Sequence, residues 1–405
     1  MTTADQLVAW LDGTATATIE RHNETIRLAY TGEAIERWGL GEPVLSCSLL
    51  TSTTKLDATA FVDGLLPEGD HRRSLAARAD VKASDLFGLI ARYGRDIAGA
   101  VQFLPPGGEP TDYGDAIEVL DAAALADLVD GLDDNPLAIT EESELSLPGV
   151  QDKMLLIALG DGQWGRPLHG RPSTHILKRD HLRYPGIVAA ELDGLRLALY
   201  IGLTTIDARV ERYADYDCLI VSRFDRTVEE GVVTGRIHQE DSCQALGRPA
   251  ARKYEMRQGC GGPEFVDIAR LLDLHAENPT EQLNTLAAYA AFTAIIGNAD
   301  AHGKNVAFLL ESGRIRLAPL YDQVPTALFP KLQTDAAMSI GGGFTLNSIG
   351  RQAIEREAKL WKHDPTAAGD AATAVAAALV DAVQANVIDS QSPLADRITT
   401  AVDRF

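Results

Sequence analysis

The most constraining stretch is residues 295–310, which read Ile-Ile-Gly-Asn-Ala-Asp-Ala-His-Gly-Lys-Asn-Val-Ala-Phe-Leu-Leu. An apolar run stops at Gly297, a polar loop carries Asp300 and Asn305, and a second apolar run starts at Val306. The acid and the amide stand in the pattern D-x-x-x-x-N. In phosphoryl-transfer loops of that spacing the Asp accepts the proton of an acceptor hydroxyl and the Asn holds a magnesium ion. Further on comes Asp322, in Ala-Pro-Leu-Tyr-Asp. The chain between reads apolar run, Glu311-Ser312-Gly313-Arg314, then Ile315-Arg316-Leu317, which predicts a β-hairpin. A hairpin returns its two ends to one place, so Asn305 and Asp322 are expected to share a metal site. The spacing by itself is not specific. Its meaning depends on whether a phosphate loop and a lysine precede it.

At 405 residues the chain is long enough for two or three domains, each with its own core. The 45% hydrophobic and 23% charged fractions fit a globular protein rather than a disordered one. With 37 basic and 58 acidic residues the formal net charge is −21, which argues against broad nonspecific DNA binding by the chain as a whole. Four scattered cysteines (Cys47, Cys218, Cys243 and Cys260) form no C-x-x-C pair, so reduced thiols in a cytoplasmic protein are expected, with no zinc framework. The start of the sequence shows no signal-peptide pattern, and no run near eighteen apolar residues is expected to span a membrane.

Residues 6–50 alternate apolar runs with Asp-Gly and Thr-Gly breaks, which predicts a small antiparallel sheet. From Ala60 the spacing turns helical, with a Pro67-Glu68-Gly69-Asp70 break, and Ser84 or Asp85 is placed to cap a further helix. Arg72, Arg73 and Arg78 read as a solvated helix face or a docking surface rather than as phosphate contacts. Pro105-Pro106-Gly107-Gly108 is linker-like and marks a domain boundary.

Beyond it, Ser143 to Leu159 predicts a strand, a loop centred on Gly149 and an apolar strand, and such loops cover nucleotide phosphates with backbone N–H groups. With one glycine it is no G-x-G-x-x-G, and an ordinary turn is the simpler reading of that loop alone. The strand Ser173 to Lys178 ends in a lysine of the kind that kinases use to hold the α and β phosphates, paired to a helix glutamate. Glu191, on an amphipathic helix over 188–198, is the candidate partner, with a solvated helix residue as the alternative. Two strands follow within 206–224. Helices are predicted over 265–274, 281–296 and 366–387. Strands early and helices late, with the reacting residues between, predict an α+β chain with a two-lobed kinase-like layout.

Taken in order, these signals resemble the HipA-like serine/threonine kinase toxins of bacterial toxin–antitoxin systems. The carrying segments are Phe61 to Glu68, Tyr93 to Ala100, Ser146 to Lys153, Thr174 to Lys178, Ser222 to Arg226, His238 to Asp241, Gly297 to Asn305 and Pro319 to Asp322. The resemblance implies a small N-terminal β/α subdomain (1–107), a β-rich kinase small lobe (108–226) and a helical large lobe (227–405). It implies that Pro148, Gly149, Val150, Gln151, Asp152 and Lys153 form the loop over the ATP phosphates, and that Lys178 contacts them. Ser222, Arg223 and Phe224 would lie against the adenine. Asp300 would be the general base. Asn305 and Asp322 would hold magnesium, with Tyr321 beside them, and His302, Gly303 and Lys304 would line the phosphate side. Ser146 occupies the position of the family's autophosphorylated serine, whose phosphate cannot share a cleft with those of ATP. Pro148 departs from the small flexible residues common there; it fixes φ and removes an N–H donor, which alters both phosphate cradling and loop ejection.

The same resemblance implies a small helix-turn-helix antitoxin of the HipB kind as partner, and an aminoacyl-tRNA synthetase as the type of protein phosphorylated. A basic, DNA-binding antitoxin suits an acidic chain. Two other readings stand beside the protein kinase: a pseudokinase or corepressor acting through its antitoxin, and a kinase of non-protein hydroxyls. Loss of Asp300 or Asp322 would favour the first, and both are present. No basic amphipathic helix supports a lipid substrate. His71, His175, His181 and His238 read as structural or surface residues.

Overall fold

The computed structural model describes residues 5–111, 117–133, 135, 137–138, 152–229, 232–255 and 261–405. Ser146 and residues 148–151 of the expected phosphate loop therefore lie outside the described residues.

The chain opens with β1 (Gln6–Leu11), β2 (Thr14–His22), β3 (Thr25–Tyr30), α1 (Gly32–Trp38), β4 (Leu56–Asp57), α2 (Thr59–Leu65), α3 (Gly69–Arg78), α4 (Leu86–Tyr93) and β5 (Gln102–Leu104). The strands form one antiparallel sheet in the order β4-β3-β2-β1-β5. Every second residue of β1 is buried, so one face of the sheet is apolar and must be covered. It is covered by the helices, around a core that includes Leu7, Ile19, Leu28, Phe61 and Phe103. The expected cap of α4 is Asp85, whose side chain accepts from the Gly88 N–H.

A second antiparallel sheet follows. It contains β6 (Ile117–Leu120), β7 (Lys153–Gly160), β8 (Gln163–Pro167), β9 (His175–Arg179), β10 (Ala208–Tyr213) and β11 (Tyr216–Ser222), in the order β10-β11-β9-β7-β8-β6. One face packs on α5 (Ala122–Asp130), with Met154, Leu156, Leu177 and Ile220 in the shared core. The other packs on α6 (Ile187–Tyr200) through Val188, Leu192, Leu195, Leu219 and Val221.

After β11 come β12 (Arg226–Glu229), β13 (Val232–Arg236), β14 (His238–Asp241) and the short α7 (Ser242–Ala245). The rest is largely helical: α8 (Phe265–His275), α9 (Pro279–Ile296), α10 (Arg351–Leu360), α11 (Pro365–Gln384) and α12 (Pro393–Val402). Set among them are β15 (Ala307–Glu311), β16 (Arg314–Leu317), β17 (Asp335–Ile340) and β18 (Gly343–Thr345). Helix α9 is buried from Leu286 to Ile296 and forms the axis of this lobe. Helix α11 is long and apolar enough to cross a bilayer by length and composition, which the sequence reading did not anticipate. In the fold it packs against α9, α10 and α12, and its alanines form part of the core. The architecture is the expected α+β, two-lobed kinase-like fold behind an N-terminal β/α unit.

The expected hairpin is β15–β16, with Phe308 opposite Leu317 and Glu311 opposite Arg314. Its turn places Ser312 at φ 51° and Gly313 at φ 75°, the left-handed pair that a two-residue hairpin turn requires. Its other edge carries a strand that was not foreseen, β14, paired antiparallel with β15.

Candidate active site

Helix α9 ends on Gly297 in the left-handed conformation, and the loop that follows carries Asp300. Asn298, 1% exposed, ties this loop to the far end of the hairpin: its Oδ1 accepts from the Asp300 N–H at 3.1 Å, and its Nδ2 donates to the Asp322 carbonyl at 3.1 Å. The Asn305 amide donates to the Asp300 carbonyl at 3.2 Å, which orients it within the same loop. The Tyr321 hydroxyl donates to the Lys304 carbonyl at 2.5 Å, and its ring stacks on Phe224 at 5.6 Å. Asp322 itself sits at φ 52°, a conformation uncommon outside glycine but tolerated by Asp.

The small lobe contributes two lysines. Lys153 on β7 lies directly opposite Lys178 on β9, and both are buried. Like charges in facing positions of a sheet are unfavourable unless something anionic compensates them. The Lys178 ammonium donates to Glu191 Oε1 at 2.6 Å and to Asp322. Asp180, two residues past Lys178, accepts from the N–H groups of Gly186 and Val188 and caps α6, so strand and helix are locked with Glu191 facing Lys178. Burial opposes the Lys178 charge, but Asp322 and Glu191 outweigh it and hold its ammonium above the usual lysine value. Burial likewise works against the Asp322 carboxylate, and Lys178 wins, keeping it ionised. Burial pulls the Lys153 ammonium down to about 8, with Asp322 opposing and Lys178 and Lys304 adding to the shift.

A cleft of about 540 Å³ between the lobes brings these groups together. Lys153, Lys178, Glu191, Ser222, Arg223, Phe224, Asp300, His302, Lys304, Asn305, Tyr321 and Asp322 all line it. Two of the expected residues are also committed elsewhere. The Arg223 guanidinium reaches Asp225, Ser173 and the Ile97 carbonyl, at 2.8–2.9 Å. The Lys304 ammonium bonds Asp241 at 2.5 Å and the Gly64 carbonyl at 3.2 Å. His302 is neutral, since burial, aided by Lys253 and Lys304, pushes its imidazole down to about 3. Gly303 meets Pro263, where an added Cβ would come within 2.3 Å. Asp152 does not line the cleft; it bonds His71 and Arg179 at 3.2 and 3.1 Å.

The arrangement combines two kinds of chemistry in one cleft. Lysines around Asp322 make an end that suits a polyphosphate. Asn305 and Asp322 offer two oxygen donors, a set that fits magnesium, which takes one or two carboxylates and completes its shell with water and phosphate oxygens. Among the described residues no group of three or more His, Cys, Asp or Glu side chains forms a richer metal cage. Asp300, tied to Asp322 through Asn298, is a carboxylate able to take a proton. The sequence reading missed Glu68, Lys253 and Tyr254, which also line the cleft. Glu68 lay within a segment already picked out, but Lys253 and Tyr254 carried no local signal.

Both halves of the chain match known proteins. Residues 145–388 match the family description HipA-like C-terminal domain, and residues 7–104 match HipA N-terminal domain. The protein Y4mE of Sinorhizobium fredii is 36% identical over 367 residues, covering 87% of this chain and 85% of that protein. The serine/threonine-protein kinase toxin HipA of Shewanella oneidensis is 31% identical over 318 residues, covering 74% of this chain and 72% of the toxin. Among solved structures, the Shewanella oneidensis MR-1 complex of HipA, HipB and operator DNA superimposes with a TM-score of 0.81 at 26% identity, covering 98% of this chain and 96% of that one. Both parts of the chain thus find their counterparts in one group of proteins, and the chain belongs to the HipA family of serine/threonine kinase toxins.

Proposed function

We propose that the chain is an ATP- and magnesium-dependent serine/threonine protein kinase, the toxin of a toxin–antitoxin pair, acting in the cytoplasm. The observation that carries this reading is the facing pair Lys153 and Lys178, buried beside Glu191 and Asp322 in the cleft that also holds Asp300 and Asn305. Two facing buried ammonium groups favour a ligand with several negative charges, and phosphoryl transfer needs little beyond positioning and charge neutralisation. In this scheme Lys153 and Lys178 bind the phosphates, Glu191 orients Lys178, and Ser222 to Phe224 border the adenine. Asn305 and Asp322 hold magnesium, which neutralises phosphate charge when bound. Asp300 takes the acceptor proton.

The domain division that goes with it is 1–107, 108–226 and 227–405. Ser146 is the self-phosphorylated residue. The partner is a HipB-like helix-turn-helix antitoxin, basic where this chain is acidic, and the substrate is a translation component such as an aminoacyl-tRNA synthetase. Incubation of the purified protein with γ-labelled ATP and magnesium, alone and with a bacterial lysate, tests the reading. Label on the chain at Ser146 and on one lysate band is the expected result. ATP binding without any transfer would turn the assignment to a binding protein that acts through its antitoxin.

A further inference from the structure

The N-terminal unit reaches the cleft through Glu68, the last residue of a segment that the catalytic scheme does not use. Its carboxylate lines the cleft and pairs with Lys253 at 3.1 Å, with the two side chains only 17% and 13% exposed. Solvent and salt screen a pair of that burial weakly. Lys253 is held a second time through its backbone, whose carbonyl accepts from the Gly303 N–H at 2.9 Å. The next residue, Tyr254, donates its hydroxyl to Asp300 Oδ1 at 2.7 Å, and its ring meets His302 edge-on at 5.0 Å. Residues 253–254 thus lie across the catalytic loop, anchored on the N-terminal unit at one side and on the loop at the other.

We propose that Tyr254 is a positioning residue for Asp300, and that Glu68, by fixing Lys253, makes the N-terminal unit part of the apparatus that orients the base. This rests on the kinase reading above. Asp300 is solvent-exposed, and a misplaced base loses rate steeply. A phenol hydroxyl can fix that carboxylate only if the ring is itself fixed. Here the ring is fixed by His302 on one face of the loop and by the doubly anchored Lys253 beside it. The chain of contacts Glu68–Lys253–Tyr254–Asp300 spans the junction between the N-terminal unit and the large lobe, and Glu68 also favours the charge of Lys153.

The test uses the full chain with ATP and magnesium, reading phosphate incorporated into the chain and ADP released. Binding of a non-hydrolysable ATP analogue and thermal melting are measured in parallel. Tyr254→Phe is expected to slow transfer about 10- to 100-fold while analogue affinity and KM for ATP stay within about twofold. Glu68→Gln is expected to slow transfer in the same way but less, and Lys253→Arg, which keeps the ion pair, to restore most of the rate that Lys253→Met loses. The double variant Tyr254→Phe/Glu68→Gln should be no slower than Tyr254→Phe alone, since both act through one contact. Tyr254→Phe at the wild-type rate, or a double variant whose losses multiply, overturns the inference. A wild-type chain that binds the analogue and transfers nothing overturns the kinase reading instead.

Discussion

Lys178 and Glu191 meet at 2.6 Å inside the cleft, the lysine on a strand and the glutamate on the helix that the strand leads into. Glu191 is 1% exposed, so the pair is no surface decoration. Burial already pushes the Glu191 carboxyl up, and losing Lys178 leaves it buried without its cation, while Lys178 without Glu191 still keeps Asp322. Lys178→Met is therefore expected to lower stability and to abolish phosphoryl transfer. Glu191→Gln, which keeps a hydrogen-bond acceptor, should remain folded, bind ATP more weakly and lose about 10- to 100-fold in rate. Calorimetric titration with an ATP analogue beside the transfer assay separates the two effects. Full activity of Glu191→Gln would remove it from the site.

Helix α6 holds Glu191 in place by lying unusually close to the segment after Asp322. A Cβ added at Gly194 would come within 1.9 Å of the Gln323 carbonyl oxygen. In an open helix Gly→Ala gains about 1 kcal/mol. Here the clash is with backbone, so overpacking of about 1–3 kcal/mol or more outweighs that gain. Gly194→Ala should melt lower than the wild type and lose phosphoryl transfer together with nucleotide binding, because α6 and Asp322 are forced apart. A variant that melts higher would show that the two elements are free to separate.

Much of this was legible in the chain itself, and the limit falls at pairing between distant segments. The Asp300–Asn305 spacing and the Ser312-Gly313 turn are local, so the hairpin and its two end residues could be read directly. The facing of Lys153 and Lys178 depends on the register of β7 against β9, which no local pattern states. The motif His238 to Asp241 gives no sign of being strand β14, because four residues carry too little periodicity to mark one. Tyr254 reaches Asp300 across 46 residues, and its neighbours Lys253 and Glu255 look like any polar loop. The expectation that Arg223 lies against the adenine comes from the family resemblance and takes no account of its partners. Its guanidinium is held by Asp225, two residues on, at 2.8 Å, and by the Ile97 carbonyl, more than a hundred residues earlier, at 2.8 Å; the second pairing is one that no local pattern states.

Asp96 has no exposed surface and joins three parts of the molecule. It accepts from Arg226 at 2.8 Å and from the Ser173 backbone and hydroxyl at 3.0 and 2.7 Å, with Arg223 and Arg236 at 3.6 and 3.5 Å. Burial disfavours its charge, yet the three arginines outweigh that and hold its carboxyl below the usual range. Asp96→Ala leaves buried guanidinium groups short of a counter-charge and is expected to cost about 3–5 kcal/mol. Denaturant unfolding should show it, with limited proteolysis around residues 223–226 rising in step. Stability from Asp96 is present above the ordinary carboxylate value and is lost as pH falls below it, so the wild type and the variant should converge in acid.

Glu240 behaves in the opposite sense. It is 1% exposed on β14, where Oε1 accepts from the Cys47 N–H at 2.7 Å, and so seats the N-terminal unit on the large lobe. Burial pushes its carboxyl up to about 7, opposed by hydrogen bonds from Ser46 and Cys47 and reinforced by Asp241. The ionisable groups that feel it across this junction are the Cys47 thiol and the Tyr30 phenol, both themselves raised by burial. A folded carboxyl raised above its unfolded value of 4.5 contributes stability that is complete below that value and is lost as pH rises through about 7. The loss amounts to about 3 kcal/mol at most, at 1.36 kcal/mol per unit. The wild type should therefore melt a few degrees lower at pH 8 than at pH 5.5. Glu240→Gln, which stays neutral and keeps an oxygen for the Cys47 N–H, should flatten that dependence and melt above the wild type at pH 8. Parallel pH dependences in the two proteins would mean that Glu240 is already ionised throughout this range.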